Sequence, residues 1–469
     1  MFVKMVCLRR ATYWTATAFV ALLSACSIGP DYKQPETPQP TQWSGKAEAS
    51  WPSLTWWQEF KSPPLDALMS QAQQANFDLG AALARVRQAD AQAKIAGANL
   101  LPTVGASGTD MRNRNNTTTP KSGGAPRGVE TLSGIFTASY ELDFWGKYAD
   151  AVDAAEATAR ASRFDQQTTA LTVEASVANT YFIVAATLDR LVVARGNLES
   201  AQHILDAVQA RADAGTASAL DIAQQESVVA AQRAALPPLT QQLRQNLNAL
   251  AILVGRLPEE MSVADEGLAS IALPSVGAGL PSGLLARRPD VQYAEAQLVA
   301  ENANIKAAEA SLFPDIKLTV QGGVQSAALA TMFKPSSGLY SLAGTITQPI
   351  FAGGALEGGI EYQKARYDEL VQNYQKAVVS SFADVENALV AVEMTNNQEG
   401  AQRIAVETAQ RAYDIAAAQM SSGTIDIVTL LNTQRTLFQA QDLLVQVRLA
   451  HAQAVVGLFR ALGGGWQMG

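Results

Sequence analysis

The chain has 469 residues, a formal net charge of −8 and only 7% aromatic residues. The acidic balance argues against nucleic acid as a partner, because proteins that bind nucleic acid carry basic surfaces. Few aromatic residues with abundant Ala and Gln favour long, closely packed helices over a thick globular core.

The N-terminus has the pattern of a secretion signal. Three basic residues precede an apolar run, 11–23, which has signal-peptide length and is too short to span a bilayer. The run ends in Leu23-Ser24-Ala25-Cys26, which resembles the lipobox of bacterial lipoproteins and implies cleavage before Cys26 and lipidation of its thiol. In such lipoproteins Ser27 implies sorting to the outer membrane. An ordinary secretory signal followed by a chance cysteine is the alternative.

Without residues 1–25, the mature chain has one cysteine and can form no internal disulfide. No later segment reaches 18 consecutive apolar residues, so we predict no transmembrane helix after the signal. Residues 26–64 are rich in Pro and Trp, which predicts an extended, lipid-anchored tether. Helical periodicity begins near Asp66 and continues to Leu101.

Two later segments, 103–143 and 315–351, each predict a pair of strands. Apolar and polar residues alternate in runs of about 10 residues, the length of a tilted membrane strand with lipid on one side and water on the other. An amphipathic hairpin in a soluble sandwich has the same pattern. The residues expected to face lipid are Phe136, Tyr140, Leu318 and Ile346. Those expected to face water are Thr137, Glu141, Lys317 and Thr345.

Each strand pair is followed by about 60 residues without proline, 147–212 and 357–420. Such helices are roughly 90–100 Å long, and apolar residues at steps of three and four predict coiled-coil packing. Gly215 and Gly423 are expected to turn each helix back on itself. We predict that Pro237-Pro238 interrupts the first return helix, since proline removes a backbone donor.

The second half of the chain repeats the first. Pro102 and Pro314, Gly146 and Gly353, and Gly215 and Gly423 lie 212, 207 and 208 residues apart. We therefore predict repeats at 65–256 and 284–463, a linker at 257–283 and a tail at 464–469. Four strands cannot close a barrel, and lipid does not tolerate open sheet edges, so one copy cannot be the functional unit.

Several stretches of this chain are similar to those of one family, the TolC-like outer-membrane factors, in the lipoprotein branch that serves resistance–nodulation–division efflux systems. The stretches are Trp56-Trp57-Gln58-Glu59-Phe60, Tyr140-Glu141-Leu142-Asp143-Phe144-Trp145-Gly146, Leu285-Ala286-Arg287-Arg288-Pro289-Asp290-Val291, Thr433-Gln434-Arg435 and Leu462-Gly463-Gly464-Gly465-Trp466. They extend over essentially the whole mature chain.

The resemblance implies a mainly α protein with a transmembrane β-barrel. Four strands from each copy of a homotrimer would close a 12-stranded barrel, and the long helices would form a periplasmic tunnel. It also implies a passive exit duct of a tripartite efflux pump. The implied partners are a periplasmic adaptor protein, an inner-membrane resistance–nodulation–division transporter and outer-membrane lipid, with no nucleic acid and no cofactor.

The resemblance places a gate at the periplasmic tips of the helical hairpins. The matching residues are Gly215, Asp221, Gly423, Asp426, Thr429 and Asn432. Family members often carry Asp at the position of Asn432 and Tyr at that of Met420. The ring of carboxylates at the Asn432 position, and the closing link from that Tyr to the equivalent of Asp221, therefore do not carry over to this chain. Asp221 and Asp426 also suit a simpler role, capping the helices that follow the glycine turns.

Nothing in the sequence indicates catalysis. His203 and His451 lie in opposite halves, and we expect both to be solvated helix residues and not metal ligands. No nucleophile elbow or P-loop occurs. Arg287-Arg288, just before Pro289, is expected to anchor the start of a helix. The alternatives to an exit duct are a periplasmic adaptor or structural coiled-coil lipoprotein, and an envelope hydrolase.

Overall fold

The computed structural model describes residues 28–38, 40–43, 51–114, 128–263, 266–279 and 281–466. Cys26 and the predicted signal peptide therefore lie outside the described residues, as do most of the loop after the first strand and the end of the tail. The chain divides into two compact units. The first contains the described residues of Met1–Pro35, Arg87–Ala161 and Glu295–Asn373, and the second those of Glu36–Val86, Ser162–Ala294 and Tyr374–Gly469.

The fold is mainly helical with four strands, in the predicted order. The α-helices of the described residues are α1 (Pro63–Ala75), α2 (Phe77–Gly97), α3 (Lys147–Asp213), α4 (Ala219–Leu253), α5 (Pro281–Leu284), α6 (Pro289–Ala310), α7 (Ala355–Ser421) and α8 (Ile427–Ala461). The strands are β1 (Thr103–Arg114), β2 (Gly128–Leu142), β3 (Asp315–Ser326) and β4 (Gly338–Thr347). The two halves match closely in length, because α3 and α7 have 67 residues each and α4 and α8 have 35.

The first unit contains a four-stranded antiparallel sheet with the order β1-β2-β3-β4. The predicted strand pairs are joined through β2 and β3, where Tyr140 pairs with Leu318. In this sheet, β1 and β4 each pair on one side only, so their outer edges present unpaired backbone groups.

The segment after the predicted lipid site packs along α6 in the same unit. The Asn302 amide donates a hydrogen bond to the Pro30 carbonyl at 3.1 Å, and the Lys306 ammonium lies 3.2 Å from the Asp31 carboxylate. Gly29 has a φ of +114°, and a Cβ there would lie 3.0 Å from the Glu309 carboxylate. Residues 28–38 form no helix or strand, and α6 contacts them through these bonds.

An aromatic core stabilises the second unit. The motif Trp56–Phe60 forms a 3₁₀ helix in which Trp56 and Phe60 are completely buried. The Trp56 and Phe459 rings stack with centroids 4.9 Å apart, and the Phe60 and Phe182 rings lie 5.0 Å apart. The N-terminal motif, α3 and α8 thus share one aromatic core in this unit.

The predicted continuous helix from Asp66 to Leu101 is wrong, because Asn76 divides it into α1 and α2. The Asn76 side-chain oxygen accepts hydrogen bonds from the backbone N–H groups of Asp78 and Leu79 at 2.9 and 3.0 Å. Its amide donates to the Leu253 carbonyl at 2.8 Å. Asn76 therefore acts as an N-cap for α2 while its own backbone is extended. Apolar periodicity runs through such a break and does not reveal it.

The predicted interruption at Pro237-Pro238 is also wrong, since α4 continues through both residues. The two prolines remove the hydrogen bonds to the carbonyls of Arg233 and Ala234. Both of those residues are exposed, so water can satisfy the freed carbonyls. Leu239 follows immediately and packs against Leu191 and Ala194 of α3, which supports the helix on its buried side.

By length and composition alone, α3 and α8 each contain an 18-residue window apolar enough to cross a membrane. Polar residues interrupt the apolar ones in both windows, so neither is a run of 18 consecutive apolar residues. The α3 window is 56% buried inside the protein, and core helices of soluble proteins pass the same test.

Candidate functional site

Both long helices end in the same tight turn. Gly215 and Gly423 have φ values of +76° and +72°, which only glycine adopts without strain. The next N–H group, of Thr216 or Thr424, donates back to the Arg211 or Gln419 carbonyl at 2.8 or 3.0 Å. This is the Schellman arrangement, which satisfies carbonyls left free at a helix end. The glycines therefore position the two hairpin tips.

Asp221 and Asp426 cap the return helices. Ser218 and Asp221 form a capping box at the start of α4, in which the Asp221 carboxylate accepts the Ser218 N–H at 2.7 Å. Asp426 is the N-cap of α8 and accepts the N–H and hydroxyl of Thr429 at 2.9 and 2.6 Å. The hydrogen bonds from Thr429 lower the pKa of the Asp426 carboxyl. Both aspartates therefore stabilise the start of a return helix.

The two tips contact each other within one chain. The Arg211 guanidinium donates to the Met420 backbone carbonyl at 2.5 Å. Beneath this link, buried Val208 of α3 packs against Ile427 and Leu431 of α8. The structure therefore brings the predicted tip segments together, and Met420 takes part through its carbonyl and its partly buried side chain. Asn432 is exposed on α8, three residues after Thr429.

The sheet places the predicted lipid-facing residues on one face. Tyr140 pairs with Leu318, Leu318 pairs with Gly344, and alternation carries the same face to Phe136 and Ile346. Phe136 and Ile346 are 68% and 72% exposed, so this apolar face is not covered by the rest of the chain. We call it the even face, because its residues have even numbers.

The opposite, odd face is polar. Glu141 pairs with Lys317 and Lys317 with Thr345, and Thr137 follows by alternation. At the start of α3, the Lys147 ammonium lies 3.4 Å from the Glu141 carboxylate and 3.2 Å from that of Asp315. The odd face is therefore polar, with an ion-paired cluster at the end where α3 begins. The even face is apolar except at its opposite end, where Arg112 lies 2.8 Å from the Glu130 carboxylate and 3.9 Å from that of Asp110.

The histidine prediction holds for one residue and is wrong for the other. His203 is exposed on α3, whereas His451 is buried on α8 with its Nδ1 2.9 Å from the Glu399 carboxylate. His451 lies on the apolar, buried face of α8, next to Ala452 and Val455, and its partner Glu399 is 52 residues away in sequence. Among the residues that the structure describes, no group of three or more His, Cys, Asp or Glu side chains is placed to hold a metal ion.

Sequence reasoning missed the ion pairs that join the hairpins. Arg190 of α3 makes a two-point contact with Asp442 of α8 at 2.7 and 3.1 Å. Arg211, Lys147 and Asp442 resemble ordinary solvated helix residues, and their partners are far away in sequence. The helix anchor was predicted correctly, because Arg288 contacts Asp290 at 2.6 Å and also donates to the Ala461 carbonyl.

An open sheet with one apolar face and two long helical hairpins are the features of TolC-like outer-membrane channels. The chain matches the family model for outer membrane efflux proteins over residues 68–256 and 280–464. It therefore belongs to the outer membrane efflux protein family. Membership assigns the chain to the outer-membrane exit channels and not to periplasmic adaptors or envelope enzymes.

Similar proteins agree in sequence and in fold. The chain is 41% identical to the pyoverdine export outer membrane protein OpmQ of Pseudomonas aeruginosa, over 95% of each chain. It is 33% identical to the probable efflux pump outer membrane protein TtgC of Pseudomonas putida, over 96% of this chain and 94% of that one. The open-state structure of the MtrE outer membrane channel of Neisseria gonorrhoeae has a TM-score of 0.86 and 27% identity, over 94% of this chain and 99% of that one.

Proposed function

We propose that three copies of this chain form the passive outer-membrane exit duct of a tripartite efflux pump. The observation that carries the proposal is the four-stranded sheet, which has two open edges and an exposed apolar face. Lipid does not tolerate open edges, so β4 of one copy pairs with β1 of the next. Three sheets of four strands then close a 12-stranded barrel.

In that barrel the even face contacts lipid and the odd face lines the water-filled duct. The residues assigned to lipid are Phe136, Tyr140, Leu318 and Ile346. An apolar outer face with a polar interior is the pattern of outer-membrane barrels. The opposite assignment would place Glu141 and Lys317 in hydrocarbon, at a cost of about 2–4 kcal/mol for a lysine near the bilayer midplane.

The duct has no energy source of its own, so its partners must supply energy and cargo. We propose a periplasmic adaptor protein that docks at the hairpin tips and an inner-membrane resistance–nodulation–division transporter. OpmQ is named for pyoverdine export and TtgC for an efflux pump. Because these relatives share one architecture, we infer that the transporter selects the cargo and that the duct conducts it.

We further propose that Cys26 carries the lipid anchor, and that the barrel inserts without it. The mass of the purified protein in detergent tests the trimer, and outer-membrane fractionation of Cys26→Ser tests insertion without the anchor. We expect three chains per particle for the native protein and for Cys26→Ser, since the sheet edges drive assembly. The variant should still fractionate with the outer membrane. A single chain per particle contradicts the trimer, and absence of trimeric Cys26→Ser from outer-membrane fractions contradicts independent insertion.

We place the resting gate at the tips, at Gly215, Asp221, Gly423, Asp426, Thr429 and Asn432. Threefold symmetry would repeat each tip charge around a narrow aperture, where fixed carboxylates favour cations. Asn432 is neutral, so the acidic ring is thinner than in relatives with Asp at that position. The Arg211 link to Met420 holds the two tips of each chain together.

Asp221 has two candidate roles that one pair of variants separates. Asp221→Ala removes the tip charge and half of the capping box, whereas Ser218→Ala removes the other half and keeps the charge. We expect Asp221→Ala alone to reduce cation selectivity and to raise the open probability in planar bilayers. Equal behaviour of the two variants would leave Asp221 as a helix cap and contradict its place in the gate.

A further inference from the structure

The connection between β3 and β4 folds back over the even face of the sheet. Gly134 lies on that face, and a Cβ built there would be 3.3 Å from the end of the Met332 side chain and 3.9 Å from Val324. The hydroxyls of Thr331 and Ser326 are hydrogen-bonded at 2.5 Å, and Ser326 also belongs to the even face. Two separate contacts therefore place the connection on the even side of the sheet.

Hydrogen bonds within the connection hold it in a fixed shape. It contains two short 3₁₀ turns, Leu329–Thr331 and Pro335–Ser337. The Ser337 hydroxyl donates to the Thr331 carbonyl at 2.8 Å, which joins the two turns. The backbone between the turns is thereby constrained, and its side chains are presented from a defined position.

Two large apolar side chains of the connection are left uncovered by the described residues. Leu329 and Phe333 are 66% and 81% exposed, whereas Met332 between them is partly buried. Single exposed apolar residues are ordinary on a protein surface, but these adjoin an apolar face that is itself exposed. Tyr340 and Phe136 of that face are 91% and 68% exposed. The connection and the even face therefore form one continuous apolar surface.

The apolar belt of the even face is short for a membrane barrel. From Ile316 to Val324, β3 advances by eight residues, which is about 27 Å at 3.4 Å per residue. With strands tilted by roughly 40°, this length gives about 21 Å of height, whereas outer-membrane barrels carry an apolar band of about 25 Å. The strands alone do not supply the full height.

The last row of the belt is also nearly bare of side chains. A row consists of the even-face residues that pair directly across the strands. This row contains Gly108, Gly134, Val324 and Gly338. Beyond it lie the charges of Asp110, Arg112 and Glu130. Met332 lies over the glycine row, so the connection occupies the level between the apolar rows and the charged rows.

We infer that this connection, residues 327–337, is an anchor in the outer leaflet that completes the lipid-facing belt. The inference rests on the proposed trimer, in which the even face contacts lipid. Met332 fills the space above the glycine row, and Leu329 and Phe333 insert among the acyl chains of outer-leaflet lipid. The occupant of this surface is therefore hydrocarbon, because the surface is apolar and continuous with the lipid-facing belt.

Nitroxide spin labels on single cysteines test the anchor. The mature chain has one cysteine, so Cys26→Ser supplies a background without any other. Phe333→Cys places a label on the connection, Phe136→Cys places one on the even face, and Gln325→Cys places one at the same end of the odd face. The labelled full-length trimers are reconstituted in vesicles of phosphatidylethanolamine and phosphatidylglycerol. Molecular oxygen concentrates in hydrocarbon and a polar nickel chelate stays in water, so their collision rates with each label report its surroundings.

Two controls keep the measurement interpretable. Phe333 is exposed, so we expect Phe333→Cys to fold, and the mass of each labelled particle should correspond to three chains. If Cys26→Ser does not assemble, the lipidated native chain accepts the same labels, because lipidation occupies the Cys26 thiol.

We expect the ratio of oxygen collisions to nickel collisions at position 333 to equal that at position 136 and to exceed that at position 325 severalfold. A label at 333 that collides mainly with the nickel chelate lies in water and overturns the anchor. A label there that neither reagent reaches is covered by another copy of the chain and also overturns it. A label at 136 that lies in water contradicts the lipid-facing even face and hence the proposed function, so the two failures are distinguishable.

Discussion

At the scale of single residues, burial decides whether a charged or polar helix residue is a solvated surface group or part of a structural contact. His451 and Glu399 are each 9% exposed or less, and their side chains are 2.9 Å apart. Arg403 and Arg448 add positive charge on the other carboxylate oxygen, at 3.2 and 3.9 Å. The pair joins α7 to α8 within the second unit. A buried acid of this kind is stable as a carboxylate only because its partners compensate for lost hydration.

This pair predicts part of the acid sensitivity of the protein. Burial acts to raise the pKa of Glu399, but the His451 hydrogen bond and the Arg448 charge outweigh it, and the pKa is lowered from 4.5. A lowered pKa gives stability that is present above the unfolded value and is lost as the pH falls through the folded value. Stability should therefore decline below about pH 4.5 in part through Glu399.

We expect Glu399→Gln to destabilise the protein by about 1–3 kcal/mol at pH 7, the cost of disturbing a buried hydrogen-bonded pair. The variant should also lose less stability than the native protein between pH 5 and pH 3. Thermal unfolding followed by circular dichroism across this range measures both effects. Glu407→Gln, an exposed change on the same helix, is the control. Parallel pH curves for native protein and Glu399→Gln would contradict the assignment.

Other residues were predictable from sequence because their role is local. Gly215 and Gly423 follow helical patterns, and the left-handed backbone of a helix end requires glycine or nearly so. Arg288, just before Pro289, was expected to anchor a helix, and it does. Arg211 and Lys147 were missed because their partners, Met420 and Asp315, are separated from them by more than 160 residues. Sequence spacing contains no sign of such contacts.

At the scale of elements, periodicity located the helices and strands but not all of their breaks. The pattern does not distinguish a continuous helix from two helices separated by Asn76, because the break depends on side-chain hydrogen bonds. At Pro237, the general rule against proline inside a helix gave the wrong result. Exposure of the freed carbonyls and packing of Leu239 decide the outcome there, and neither is visible in the local sequence.

The strands give the most direct prediction at this scale. Phe136→Arg places a charge on the even face, and we expect a cost of about 2–4 kcal/mol near the bilayer midplane, with impaired assembly. Thr137→Arg places the same charge on the odd face and should assemble normally. The measurement is the amount of folded, heat-modifiable oligomer in outer-membrane fractions. Equal yields of the two variants would mean that the faces are assigned in the wrong register.

At the scale of the whole molecule, the duplication was visible in the sequence because each half repeats its turns at nearly constant spacing. The matched helix lengths of 67 and 35 residues follow from that spacing. The sequence also required more than one copy, since four strands cannot close a barrel. The links between hairpins could not be predicted, because they depend on which faces of α3, α4, α7 and α8 meet.

The central claim is that a trimer of this chain encloses a gated aqueous duct. Single-channel recording of the purified protein in planar lipid bilayers tests it most directly. We predict discrete conductance steps from trimeric particles, a resting state that is mostly closed and weakly selective for cations, and longer openings for Asp221→Ala. Trimers that remain electrically silent in both forms, or conductance that comes from monomers, would contradict the account.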